Sequence, residues 1–215
     1  MKKHIRNILV ALMALSLIML AGCGGGSSEE SEAPESSQPE ATETAEPAEP
    51  IGIHHAEITI KDYGTVSVEL DGDTAPITVQ NFMDLANDGF YDGLTFHRII
   101  DGFMIQGGDP NGDGTGGSDK NIVGEFEANG YANSIAHTKG VISMARAQDP
   151  NSASSQFFIM VEDAPHLDGM YAAFGHVTEG QDVVDKIAAD AEPLDDNGTM
   201  APEDQPVIES IKIID

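Results

Sequence analysis

From residue 51 onward, short runs rich in Val, Ile, Phe and Thr follow one another, separated by breaks containing Gly, Asp or Pro. That is the period-two signature of half-buried strands. It predicts strands over Ala56–Lys61 and Thr65–Leu70, joined by a hairpin turn at Asp62-Tyr63-Gly64. Further strands are expected over Thr95–Ile100, Phe103–Gly107, Val141–Ala147, Gln156–Val161, Ala172–Val177 and Val207–Ile214. Two stretches switch to helical spacing. In Ile77–Asn87 the residues Val79, Phe82, Met83 and Ala86 fall on one face, after Thr74-Ala75-Pro76 and before Gly89. In Gly180–Ala189, Val183, Val184 and Ile187 do the same. Strands and helices do not alternate, which argues against a parallel sheet. A mainly β fold is expected: a closed antiparallel barrel with helices over its openings.

Strand parity then sorts side chains by face. Phe96, Arg98 and Ile100 are expected on one face of their strand, and His97 and Ile99 on the other. Gln156, Phe158 and Met160 share a face of theirs, with Phe157 and Ile159 opposite. An arginine among Phe96, Ile99 and Ile100 must find a partner or line a cleft. His97, facing away from Arg98, reads as a structural hydrogen bonder. Whether the faces carrying Arg98 and Gln156 meet is left open by the sequence.

The first fifty residues have a different character. Lys2, Lys3 and Arg6 precede Ile8–Ala21, an apolar run broken only by Ser16. That run is short for a membrane span and suits a secretory signal core. It ends in Leu20-Ala21-Gly22-Cys23, which resembles a bacterial lipobox. The resemblance implies cleavage after residue 22 and acylation at Cys23, the chain's one cysteine. Several acyl chains would anchor it stably. Gly24–Pro50 is Gly, Ser, Glu, Ala, Pro and Thr with the one exception of Gln38, and without an aromatic residue, a composition that buries too little to fold. The expected organisation is a signal peptide over 1–22, a lipidated cysteine and acidic linker over 23–50, and a domain over 51–215. The protein would be extracytoplasmic and lipid-anchored to the bacterial cell membrane. Cleavage leaves seven basic against 37 acidic residues, a formal charge of −30. That balance excludes nucleic acid as a partner, because phosphate binding needs a basic face. Nothing in the pattern signals an oligomer, and a monomer is expected.

Two motifs in the glycine-rich stretch mimic known sites. Gly112–Gly117 satisfies GxGxxG but does not open a helix, as a dinucleotide site requires. Asp109, Asn111, Asp113 and Gly114 imitate the start of an EF-hand loop, yet its twelfth position is Lys120 instead of a bidentate glutamate. Neither a cofactor nor a metal is expected.

The segments FHRIIDGFMIQGGD (Phe96–Asp109), GTGG (Gly114–Gly117), SMARA (Ser143–Ala147), SSQFFIM (Ser154–Met160) and HLDGMYAAFGHV (His166–Val177) occur in this order. In that order they resemble the cyclophilins, peptidyl-prolyl cis/trans isomerases, across nearly all of residues 53–215. The resemblance implies an eight-stranded antiparallel barrel capped by two helices, with the substrate groove on its outer wall. It implies that Arg98 is catalytic and that Phe103, Met104, Phe158 and Leu167 receive the proline ring. Gln106 would position the peptide and orient the arginine. Ala145, Arg146 and Ala147 would pair with the substrate backbone, beside Gln156. X-Pro segments of unfolded or flexible secreted proteins are the implied partners. Three positions depart from the family pattern. Arg146 stands where asparagine is frequent, and His166 where many members carry tryptophan, so weak cyclosporin binding is expected. Tyr171 replaces a frequent histidine and keeps an aromatic wall with a polar tip.

Overall fold

Tyr63 N–H donates to Ile60 O at 3.2 Å and closes the first hairpin, with Asp62 at φ 65°. Aspartate is among the few side chains that tolerate this left-handed backbone. The hairpin joins β1 (Ile53–Ile60) to β2 (Gly64–Asp71) in a computed structural model that describes residues 48–215. The expected signal segment, Cys23 and nearly all of the linker lie outside the described residues. The chain continues through α1 (Pro76–Asn87), β3 (Thr95–Ile100), β4 (Met104–Asp109), β5 (Val141–Met144) and β6 (Phe157–Met160). It ends in β7 (Ala173–Glu179), α2 (Gln181–Asp190) and β8 (Ile208–Ile213). Proline opens α1, where its missing N–H costs nothing. No helix among the described residues is long and apolar enough to cross a membrane.

All ladders are antiparallel, and the strands follow the order β3-β4-β6-β5-β7-β2-β1-β8. The sheet curls until its two end strands meet at one corner, through the bridge Thr95–Val207 just before β8 and the backbone bonds of Phe96 N–H to Pro206 O (2.9 Å) and Ile208 N–H to Leu94 O (2.8 Å), but β3 and β8 form no ladder. The expected closed barrel is therefore a curled half-barrel. The outer edge of β3 is instead covered by the loop before β8: Ile99 N–H donates to Gly198 O (2.8 Å) and Met200 N–H to His97 O (3.0 Å).

Alternation along the strands creates two apolar regions. The inner one gathers Ile58, Val68, Phe82, Phe96, Ile99, Ile105, Phe157, Ile159 and Phe174, with α1 and α2 contributing Val79 and Ile187. The outer one is built by Met104, Val141, Phe158, Met160, Ala164, Leu167 and Ala173. Strand β6 serves both, because Phe157 and Ile159 face inward while Phe158 and Met160 face outward. Parity fails at one expected place. Phe96 is inside with Ile99, not beside Arg98, because the ladder to β4 shifts between Thr95 and Arg98. This β-bulge turns one residue over. It also buries the His97 ring with neither nitrogen hydrogen-bonded to a described residue, so the expected hydrogen-bonding role is not realised.

Candidate active site

The register supplies what parity alone could not. Arg98 lies opposite Gln106 across β3 and β4, Gln106 opposite Phe158 across β4 and β6, and Phe158 opposite Ser143 across β6 and β5. The faces bearing Arg98, Gln106 and Phe158 thus form one row on the outside of the sheet. Strand β5 leaves its ladder after Met144, earlier than expected, and frees Ala145–Ala147 as an edge. Ala145 N–H still donates to Gln156 O at 2.9 Å. The N–H and C=O of Arg146 meet no intramolecular partner among the described residues.

The row borders a cavity of about 150 Å³ lined by Arg98, Phe103, Met104, Gln106, Ala145, Arg146, Phe158, Leu167 and Tyr171. Ala147 and Gln156 instead line an adjoining hollow of about 220 Å³, which shares Gln106, Ala145 and Arg146 with the first. His166 lines neither; its ring stacks on Phe103 with centroids 5.8 Å apart and planes inclined by 25°.

A chain of polar contacts fixes Arg98. Its Nη1 donates to Gln106 Oε1 at 3.2 Å and reaches the Met104 sulfur at 3.9 Å. Gln106 Nε2 donates to Gln156 Oε1 (2.9 Å), and Gln156 Nε2 to the carbonyls of Gly116 (2.7 Å) and Gly114 (3.2 Å). The glycine-rich stretch therefore ends this chain as a backbone acceptor. Gly114 has φ 87°, and a β-carbon on Gly116 would run into the Asp109 carboxylate. The buried Asp109 accepts from the N–H groups of Asn111 (2.8 Å), Asp113 (3.2 Å) and Gly114 (2.6 Å). The EF-hand-like carboxylate is a loop organiser.

Arg98 is held from its other side by Asn197. The Asn197 carbonyl accepts from Nε at 2.8 Å and its Oδ1 from Nη2 at 3.3 Å. Asp195 shapes that loop by accepting from the N–H of Asn197 (3.0 Å) and Thr199 (3.1 Å). Of five guanidinium N–H groups, this leaves one on Nη2 free to point into the cavity. Burial lowers the affinity of Arg98 for its proton, opposed by Tyr171 and Asp195 nearby, yet an arginine so placed stays charged through the neutral range.

The apolar wall is braced from behind. Tyr171 meets Phe158 edge-on at 5.9 Å, and the buried His137 ring stacks on Phe158 at 6.0 Å. His137 Nε2 lies 3.0 Å from Ser143 Oγ and Nδ1 3.1 Å from Asp168 Oδ1. Desolvation holds the His137 pKa below its ordinary value, although Asp168 pulls the other way. The Arg146 side chain does more than its neighbours. Its guanidinium lies between the rings of Phe126 and Tyr171, 4.9 and 4.8 Å from their centroids. Nε and Nη2 both donate to Met170 O, at 3.1 and 2.8 Å, and Nη1 donates to Ala147 O at 2.9 Å.

Sequence reasoning missed Asn197, Phe126 and His137. The run Asp195-Asp196-Asn197-Gly198 announces a tight turn, but nothing in it points to an arginine 99 residues away. Phe126 and His137 lie outside the predicted strands and helices, and only the tertiary fold brings them to the pocket.

Comparison with known proteins places the geometry in context. The family model "Cyclophilin type peptidyl-prolyl cis-trans isomerase/CLD" matches residues 55–213. Peptidyl-prolyl cis-trans isomerase B of Bacillus subtilis is 49% identical over 121 residues, 56% of this chain and 81% of its own. A peptidyl-prolyl cis-trans isomerase of Helicobacter pylori is 47% identical over 135 residues, 61% of this chain and 80% of its own. Among solved structures, a cyclophilin type isomerase of Cryptosporidium parvum superposes with a TM-score of 0.67 at 31% identity, covering 76% of this chain and 98% of that one. The same protein was also crystallised in the presence of the dipeptide Ala-Pro, and superposes with a TM-score of 0.66. The family match over residues 55–213, the sequence identity to the Bacillus isomerase and the superposition of the curled sheet on the Cryptosporidium structure assign the chain to the cyclophilin-type peptidyl-prolyl cis-trans isomerases, and it is an enzyme of that kind.

Proposed function

We propose that Arg98 and the apolar cavity beside it catalyse rotation about X-Pro bonds without covalent or metal chemistry. Resonance stiffens this bond with a barrier of about 18–20 kcal/mol, and uncatalysed exchange takes roughly tens to hundreds of seconds. Reaching milliseconds means lowering the barrier by about 7 kcal/mol. The planar imide is strongly dipolar; the twisted one is less so, and its nitrogen regains a lone pair. An apolar cavity penalises the flat form more. A fixed donor at the nitrogen favours only the rotated form, and such differential binding accelerates the step.

The observation that carries this reading is the immobilised guanidinium, held by Gln106 and Asn197 at the mouth of a cavity lined by Phe103, Met104, Phe158 and Leu167. Gln106 orients it, and Gln156 orients Gln106. The unpaired N–H and C=O of Arg146 suit an extended peptide added along that edge, with Ala145 and Ala147 on either side. Tyr171 closes the wall. His166, stacked flat on Phe103, offers less apolar area than a tryptophan, so cyclosporin is bound weakly.

A charged hydrogen bond is worth about 1.5–3 kcal/mol. Arg98→Ala should therefore lower kcat/KM for a short Ala-Pro peptide about ten- to a hundredfold, while peptide binding persists. Arginine does not titrate near neutrality, so wild-type turnover should be nearly flat from about pH 6 to 8. Undiminished turnover in Arg98→Ala, or a steep bell-shaped profile, would sink the mechanism. The clients we infer are X-Pro segments of unfolded secreted proteins, met by a monomer anchored outside the cytoplasm through lipid on Cys23. Cys23→Ser should then release the protein from the membrane fraction with its isomerase activity intact.

A further inference from the structure

A second groove, of about 610 Å³, runs along α1 and is several times larger than the proline cavity. Its floor is apolar. Ile77, Leu85 and Phe90 lean on the inner core and remain partly exposed. Its rim carries the carboxylates of Glu49, Asp84, Asp88 and Asp119 against the single cation of Lys120. All four carboxylate residues are exposed, and none joins an ion pair among the described residues.

The groove neighbours the hollow that adjoins the proline site. The cavity shares Gln106, Ala145 and Arg146 with the adjoining hollow, and that hollow extends to Ser154. Asn81, which lines the groove on α1, donates its Nδ2 to Ser154 O at 2.7 Å. Cavity and hollow thus share three lining residues, and hollow and groove are linked by the contact of Asn81 with Ser154.

We propose that this groove is a remote subsite for the client chain, and that it takes an apolar side chain flanked by lysine or arginine. The proposal rests on the isomerase reading and adds a preference to it. The apolar floor supplies burial, and the unpaired rim supplies charge complementarity that suppresses acidic segments. Tethering through a second contact raises effective concentration at the first without altering the chemistry there.

The test compares one short Ala-Pro peptide with versions extended by about ten residues, roughly 33 Å when stretched, on either side of the proline. The extension ends in Lys-Leu-Lys, Lys-Ser-Lys or Glu-Leu-Glu. Wild type should use one of the Lys-Leu-Lys peptides about tenfold better in kcat/KM than the short peptide, with the gain in KM, and the gain should shrink in high salt. The pair Asp84→Lys with Asp88→Lys should leave the short peptide unaffected and erase the gain. Equal use of the short and extended peptides would overturn the proposal. So would a gain that survives the charge reversal, or one equally large for Lys-Ser-Lys, since the chain's net charge of −27 attracts any cation. Failure of the isomerase reading would look different: the short peptide itself would not be turned over.

Discussion

Arg146 illustrates how one side chain can line a cavity and brace its neighbours at once. Its planar cation fills the space between Phe126 and Tyr171 while its donors fasten Met170 and Ala147 carbonyls. Each cation–π contact is worth about 0.5–1 kcal/mol at an exposed site. Arg146→Ala should therefore raise KM for an Ala-Pro peptide roughly fivefold or more, with kcat nearly unchanged, in steady-state kinetics. Lysine should not rescue it, because an ammonium cannot stack between two rings and hold Met170 O from two nitrogens. An unchanged KM in the alanine variant would show that Tyr171 stands without this support. At this scale the sequence was legible in kind. Arg98 among apolar residues announced a cleft, but the same strand hid Phe96 behind a bulge that period-two reasoning does not see. Arg146 was placed at the edge for its backbone; its side chain's partners, Phe126 and Met170, lie twenty or more residues away on either side.

At the scale of elements, the site depends on two loops as much as on its strands. The glycine-rich loop presents two carbonyls to Gln156, and its shape comes from Asp109 accepting three backbone N–H groups. Asp109→Ala should lower stability by about 1.5–3 kcal/mol, the worth of charge-assisted bonds that water replaces only in part. The same change should cut kcat, because Gln156, Gln106 and Arg98 lose their common anchor. Urea midpoints and steady-state rates check both halves; normal kcat in a destabilised variant would separate loop from catalysis. The strands and helices were readable because their periodicity is strong. Strand ends were not: β5 stops at Met144, three residues before its apolar pattern does. Pattern reports which residues can be buried, whereas a ladder ends where its partner turns away.

For the whole molecule, two buried imidazoles tie stability to pH. Burial is the largest influence on both His97 and His137, and it holds their pKa values below the ordinary value of 6.5. A group with a lowered folded pKa contributes stability above its unfolded pKa, and that contribution is lost as pH falls through the folded value. Stability should thus decline from pH 7.5 to 5.5, by at most about 1.4 kcal/mol per pH unit for each histidine. Burial raises the Glu125 pKa; that carboxyl's contribution is present below its unfolded pKa and lost as pH climbs through the folded one, so it opposes the histidines. His137→Gln removes one histidine and leaves Glu125 in place, so its urea midpoint should fall less steeply with acid than wild type. Parallel slopes would contradict this account. The overall architecture was also legible, except for closure. Whether the end strands pair is decided by the loop at Gly198 and Met200, which competes for the hydrogen bonds of β3 and carries no signature of doing so. One further consequence comes from β6. Consecutive residues of that strand are the ceiling of the interior and the floor of the cavity beside Arg98. The enzyme accordingly has no soft layer between what keeps it folded and the surface proposed to recognise its substrate. Discrimination between proline and other rings should stay constant on warming and vanish together with the cooperative transition, since neither Phe157 nor Phe158 can slacken alone.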